Sequence, residues 1–263
     1  MEPSAPPTAE QIQQNHDALA QIREEVAATQ ALVGPCVPTD TLLEKYADNP
    51  GFLAHVPAVC AAYSGIRTVR GDGICFYRAA LVSMGLAIHA AGALPPTLLE
   101  RVRGAKAALL AFGYSEFCDD FIDALLAYLE GLVAPGSTAE AAAVEPLCAS
   151  AGEASILYGL RLLTALELHS NAAAYADFIE GAFGQSISDF CAKTVLPSYE
   201  EADQIQISAL CAWLRVRLTV VSLDAHALHR DTIPEDAAAA AAAWMGIHLL
   251  LRPGHYDILT ERV

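Results

Sequence analysis

The chain has 263 residues and a formal net charge of −16, and this acidity argues against nucleic-acid binding because phosphate backbones would be repelled. Hydrophobic residues make up 54% of it, which is enough for a sizeable core and argues against a wholly disordered protein. The seven cysteines are scattered without a CxxC pair, a usage that argues against a zinc ribbon and favours reduced thiols inside a cell.

The sequence also argues against membrane association. Its start lacks the basic and then apolar segments of a signal peptide. The longest apolar stretch, 237–251, is rich in Ala, contains His248 and is too short to span a bilayer comfortably. We therefore expect a cytoplasmic protein, with the nucleus as a second compartment.

The N-terminal region predicts a short disordered segment and then a helical arm. Residues 1–7 are rich in Pro and are predicted to be disordered. In 8–34, apolar residues recur at heptad spacing and predict an amphipathic helix that Gly34 and Pro35 stop. This helix either docks on the body of the protein or serves as an exposed arm for a partner. We assign the remainder, 35–263, to one domain.

The rest of the chain predicts helices followed by strands. Residues 38–66 indicate short helices, and 96–214 carries apolar residues at spacings of three and four, as amphipathic helices do. Near the end, 216–223, 246–252 and 256–262 predict strands, of which the first is rich in β-branched residues. Helices first and a small antiparallel sheet last are typical of the α+β class.

The stretch RTVRGDGICFYRAALVSMG, residues 67–85, contains the first candidate for chemistry. Cys75 stands where a helix should begin, and a helix N-terminus stabilises the nucleophilic thiolate form of cysteine. Gly71 and Gly73 flank Asp72 and would let backbone N–H groups near Cys75 point at one spot, as an oxyanion hole requires. On its own, a cysteine before an amphipathic helix is more often a core residue.

The stretch RPGHYD, near the C-terminus, contains the second candidate. His255 lies in the Pro253-Gly254 turn between two predicted strands, and Asp257 lies two residues later, on the same face of a strand. Its carboxylate could accept the imidazole N–H, fix the tautomer and stabilise the imidazolium. Such a pair is usually an ordinary surface pair, so these residues alone indicate no more than a cysteine hydrolase.

These two stretches resemble the motifs of a known family. RTVRGDGICFYRA resembles the Cys box of OTU-domain cysteine proteases, D-G-N-C-F-[YF]-R-A, and LLLRPGHYDIL resembles the His box in its otubain form. Intermediate segments, among them LRLLTALELHSNAAAYADFIEG and RLTVVSLD, resemble otubain segments in the same order. From about residue 10 to its end the chain is therefore similar to otubain-type deubiquitinases, the peptidase C65 otubain family.

The resemblance implies a papain-like otubain fold, in which a small mixed or antiparallel sheet is sandwiched by helices beside a larger helical lobe. It makes Cys75 the nucleophile and His255 the general base, with Asp257 orienting His255. Asp72 belongs to the loop that shapes the oxyanion hole. The resemblance makes 35–263 the catalytic domain and makes ubiquitin, or polyubiquitin, joined to a lysine amine the substrate. It implies no metal and no organic cofactor.

One departure from the family box keeps other interpretations open. The Asn that precedes the cysteine in the family is Ile74 here, so the resemblance leaves open the finer geometry of the Cys loop and the activity itself. The protein is then either an active deubiquitinase or a weakened otubain that regulates by binding ubiquitin or, through its N-terminal helix, a conjugating enzyme. A hydrolase that acts on ubiquitin-like modifiers is a third interpretation. The complete set of Cys75, His255 and Asp257 favours the first.

Overall fold

The structure, a computed structural model, describes residues 8–95, 97–148, 152–236, 238 and 242–262; the predicted disorder of 1–7 lies outside these ranges. The helices are α1 (Ala9–Thr29), α2 (Thr41–Lys45), α3 (Pro50–Leu53), α4 (Val56–Ala62), α5 (Cys75–Ala91), α6 (Leu98–Ala111), α7 (Cys118–Gly131), α8 (Ala139–Ala143), α9 (Glu145–Cys148), α10 (Gly152–Ser170), α11 (Ala172–Phe183), α12 (Ile187–Phe190), a π-helical turn (Cys191–Val195) and α13 (Gln204–Leu214). The strands are β1 (Val37–Pro38), β2 (Tyr63–Arg67), β3 (Val216–Leu223), β4 (Leu228–Ile233), β5 (Met245–Arg252) and β6 (His255–Glu261).

Within the described residues the strands form one six-stranded sheet in the order β1-β2-β6-β5-β3-β4. Side chains alternate between its two faces, as in any strand. Leu249 and Ile258 point into the main core with α5 and the larger helical lobe, whereas Leu250 and Leu259 point into a smaller core that contains Val56 of α4. The sheet is therefore sandwiched by helices beside a larger helical lobe, as expected of the α+β class.

The sheet is mixed, so the purely antiparallel sheet suggested by the strand pattern is wrong. Strands β3 and β5 pair in parallel because β4 first folds back as a hairpin on one edge of β3, and the chain then returns to the other edge. Trp244 anchors this return, since its backbone N–H and indole Nε1 donate to the carbonyls of Arg215 and Leu214 at 3.2 and 2.7 Å. The sequence pattern missed β4 because it is a polar edge strand, and it also missed β1 and β2.

The N-terminal helix ends at Thr29, and the next residues pair with the body of the protein. Val33 forms a bridge with Val69 and is buried, whereas Leu19 and Ile22 on α1 are 49% and 54% exposed. Helix α1 therefore keeps an open apolar face, although its Arg23 contacts the body of the protein by lying over the ring of Tyr199 at 4.0 Å. The division into an arm at 8–34 and a domain at 35–263 stays a prediction.

Helix α5 brings the Cys loop to the sheet. It is apolar on most of its circumference and buried along most of its length, as expected of a helix inside a core. It packs against β6, and Cys75, the first residue of α5, interacts with His255, the first residue of β6. No described helix is both long enough and apolar enough to cross a membrane.

Candidate active site

Cys75 is the first residue of α5, and only 6% of it is exposed. The N-cap residue, Ile74, supplies no side-chain acceptor, so the N–H groups at the start of α5 remain available to stabilise a thiolate. The side chain of Ile74 packs against the main core and lines a small cavity of about 190 Å³ on that side. The apolar side chain of Ile74 is therefore accommodated by its contacts with the main core.

The loop before Cys75 depends on a glycine and on a buried ion pair. Gly73 has φ +90°, and a Cβ there would lie 3.0 Å from the carbonyl oxygen of Tyr199. Asp72 binds the guanidinium of Arg78 through both carboxylate oxygens, at 3.0 and 2.8 Å, and also accepts the Ile74 N–H at 3.3 Å. Asp72 thus stabilises the loop through its ion pair with Arg78 and its hydrogen bond from the Ile74 N–H.

Sequence reasoning did not single out Arg78 as part of the site. It is fully buried on α5, where it also pairs with Glu153 and donates to the carbonyl of Arg70 at 3.0 Å. Burial acts to lower the pKa of Arg78, but the hydrogen bonds and charges of Asp72 and Glu153 outweigh it and raise that pKa. The Arg within CFYRA, one turn after the cysteine, was the available signal.

The backbone donors around Cys75 differ in whether an acceptor binds them. The N–H of Gly71 is bound to Gln30 Oε1 at 3.1 Å, and that of Ile74 is bound to Asp72. Within the part of the chain that the structure describes, no acceptor binds the N–H groups of Gly73 or Cys75. These two donors can receive a developing oxyanion.

His255 and Asp257 meet as the strand geometry predicts. His255 is the first residue of β6, and its Nε2 lies 2.9 Å from Asp257 Oδ1. Nδ1 is then the ring nitrogen left for Cys75, whose side chain interacts with the imidazole. Gly71 lies against this nitrogen, because a Cβ there would be 3.3 Å from Nδ1. The structure therefore brings Cys75, His255 and Asp257 together.

Asp257 is completely buried and is held by two more donors. The backbone N–H of Val69 donates to Oδ1 at 3.0 Å, and Arg252 Nη2 donates to Oδ2. Burial acts to raise the pKa of Asp257, but His255, Arg252 and Val69 outweigh it and lower that pKa. Burial likewise opposes the charged form of His255, yet Asp257 and Cys75 raise its pKa to about 9. Sequence reasoning missed Arg252, although it stands within RPGHYD.

Two grooves meet at Gly71. The first, which we name the Cys-loop groove, has a volume of about 820 Å³ and is lined by the loop 71–73, by α1, by α11 and by 199–206. The second, the His groove, has a volume of about 690 Å³ and is lined by Gln30, Lys45, Tyr46, Phe52, Arg252 and His255, among others. Among the described residues, no cluster of three or more His, Cys, Asp or Glu is arranged to hold a metal ion.

A buried cysteine at a helix start, beside an imidazole that a carboxylate orients, defines a cysteine-type hydrolase. The family model for the otubains, peptidase C65, matches residues 25–261. The chain belongs to this family.

Curated relatives and solved structures agree with this assignment. The Caenorhabditis elegans "Ubiquitin thioesterase otubain-like" is 31% identical over 241 residues, covering 88% of this chain and 82% of the relative. Human "Ubiquitin thioesterase OTUB1" is 30% identical over 252 residues, covering 90% and 86%. The structure of h/ceOTUB1 with ubiquitin aldehyde and UBCH5B~Ub superposes with a TM-score of 0.83 at 28% identity, covering 95% of this chain and 98% of that one.

Proposed function

We propose that the protein is a deubiquitinase that cleaves the isopeptide bond between the C-terminus of ubiquitin and a lysine amine. The observation that carries the proposal is the Cys75–His255–Asp257 arrangement, in which a helix start, a β-strand and a buried carboxylate converge. The names of the relatives, ubiquitin thioesterases and deubiquitinating enzymes, support ubiquitin as the substrate.

The first half of the reaction forms a thioester. The Cys75 thiolate attacks the carbonyl carbon of the isopeptide bond, and the oxygen takes up negative charge beside the N–H groups of Gly73 and Cys75. His255 then gives its Nδ1 proton to the lysine nitrogen, the C–N bond breaks and the amine leaves. With a pKa of about 9, His255 holds this proton at neutral pH.

The second half restores the enzyme. The neutral imidazole takes a proton from water as the oxygen attacks the thioester carbonyl. The tetrahedral intermediate expels the Cys75 thiolate and releases the ubiquitin carboxylate. Asp257 holds Nε2 throughout, so Nδ1 always faces the reacting atoms.

Cleavage of di-ubiquitin and of a ubiquitin–fluorophore conjugate tests the proposal. We expect turnover by the wild-type protein and its loss in Cys75→Ala, with an unchanged circular dichroism spectrum. Cys36→Ala is the matched control, because this exposed cysteine lies outside the site and its variant should retain full activity. Equal activity in wild type and Cys75→Ala would refute the proposal.

A second candidate function is recognition of a ubiquitin-loaded conjugating enzyme through α1. Two observations favour it: solved otubain structures contain UBCH5B~Ub or UBC13~Ub, and Leu19 and Ile22 form an open apolar face on α1. Leu19→Asp combined with Ile22→Asp should weaken binding of such a conjugate to Cys75→Ala protein. Unchanged binding would count against this role of α1.

A further inference from the structure

The two grooves that meet at Gly71 carry opposite charge. The Cys-loop groove contains Glu200, Glu201 and Asp203, and its cation, Arg23, lies over the ring of Tyr199 at 4.0 Å. In contrast, Lys45, Arg252 and His255 line the His groove, and the described residues that line it include no carboxylate. A groove without acidic side chains is unexpected in a chain with a net charge of −16.

Lys45 is the cation of the His groove that is free to meet a ligand. It is the last residue of α2, and among the described residues no carboxylate lies within ion-pair distance of it. Arg252 is less available to a ligand, because its guanidinium already forms an ion pair with the carboxylate of Asp257. Burial and then the positive charge of Arg252 lower the pKa of Lys45, and the negative charge of Asp257 partly opposes this shift.

The chemistry assigns a part of the substrate to each groove. The oxyanion donor Gly73 lines the Cys-loop groove, and therefore the carbonyl of the scissile bond faces that side. The leaving amine must reach His255, which lines the His groove together with Pro253 and Gly254. The segment that carries the acceptor lysine consequently lies in the His groove. The stacked rings of Tyr46 and Phe52, 4.7 Å apart, offer this segment an apolar wall.

We propose that the His groove selects acceptor lysines that are flanked by acidic side chains, with Lys45 as the specificity-determining residue. The proposal rests on the isopeptidase function proposed above and adds a preference for one chemical class of acceptor. A basic segment would be repelled from the His groove, and a neutral one would gain nothing from Lys45.

Two conjugates that differ only in charge test this preference. Each joins ubiquitin through its C-terminus to the ε-amine of the lysine in a short peptide, with two Glu on either side in one conjugate and two Gln in the other. We expect wild-type kcat/KM to be about two- to five-fold higher for the Glu peptide, the size expected of one partly exposed charge pair. Lys45→Gln should bring the ratio close to one, and so should high salt.

Lys193→Gln is the matched control, since Lys193 is an exposed lysine on the π-helical turn and pairs with Asp189 outside both grooves. It should keep the wild-type ratio. A wild-type ratio of one, or a ratio that Lys45→Gln leaves unchanged, would overturn the proposal. If the wild-type protein cleaves neither conjugate, the isopeptidase function fails, and binding of the two conjugates to Cys75→Ala protein by fluorescence anisotropy then decides the charge preference in the same way.

Discussion

Arg252 donates to one carboxylate oxygen of Asp257, while His255 and the Val69 N–H occupy the other. A buried carboxylate without such partners would favour its protonated form. Arg252 therefore keeps Asp257 charged and orients the carboxylate so that Oδ1 faces His255. Arg252 acts through Asp257 and is a positioning residue.

Arg252→Met should lower kcat by roughly 10-fold, because Asp257 loses both a hydrogen-bond donor and its counter-charge. A double-mutant cycle shows whether the effect passes through Asp257. In an Asp257→Ala background, Arg252→Met should have little further effect. Arg230→Met, on the edge strand β4 and outside both grooves, is the control. Equal losses from Arg252→Met in both backgrounds would mean that Arg252 acts elsewhere.

Asp257→Ala should lower the chemical rate by roughly 10-fold or more, since the imidazole loses the group that fixes its tautomer and orientation. Ubiquitin binding, measured in Cys75→Ala protein, should hardly change. Single-turnover kinetics separate the two quantities. An unchanged rate would show that another group orients His255.

The pH dependence should reveal the charge on His255. Its pKa is raised to about 9, so the protonated form that serves the leaving amine persists at neutral pH and is lost as the pH rises through that value. We expect kcat/KM to fall on the alkaline side with a midpoint near 9. In Asp257→Ala this midpoint should move down toward the ordinary histidine pKa of about 6.5. A midpoint that stays in place would contradict the assigned pair.

Gly71→Ala should push the imidazole away from its position, because the added Cβ would lie 3.3 Å from Nδ1. We expect kcat to fall by about 10-fold, as small misplacements at a reacting centre do. Gly104→Ala on α6 is the control, since a Cβ there meets nothing within 4 Å. Similar kinetics for the two variants would place the imidazole away from Gly71.

Truncation should separate α1 from the segment that follows it. Deleting residues 1–28 should leave hydrolysis of a ubiquitin–fluorophore conjugate largely intact. Deleting 1–34 should lower it, because Gln30 binds the Gly71 N–H and Gly34 binds the Thr68 carbonyl. Gln30→Ala in the full chain tests the first contact alone. Equal activity of both truncated proteins would show that this segment does not support the Cys loop.

The sequence identified the residues whose chemistry is visible in a short stretch. Local spacing made Cys75 before a helix, and His255 two residues from Asp257, candidates, and the resemblance to the otubain motifs gave them their roles. The supports of the site could not be predicted in this way. Glu153 reaches Arg78 across 75 positions, and Gln30 reaches Gly71 across 41. Such contacts depend on how distant segments pack, and a sequence pattern contains no signal for them.

The strands show the same limit. Hydrophobic runs marked β3, β5 and β6, which are buried, but Leu228–Ile233 is largely exposed and polar and was missed. Because the β3–β4 hairpin was not predicted, the parallel pairing of β3 with β5 could not be predicted either. Strand β4 occupies one edge of β3, and the chain therefore returns along the other edge.

The most direct measurement is the reaction of the protein with ubiquitin that carries a C-terminal electrophile. Mass spectrometry of the digested adduct locates the modified residue among the seven cysteines. We expect one ubiquitin per chain, attached to Cys75, with labelling strongly slowed in His255→Ala. Attachment to another cysteine, or no adduct with folded wild-type protein, would contradict the assignment of Cys75 as the nucleophile.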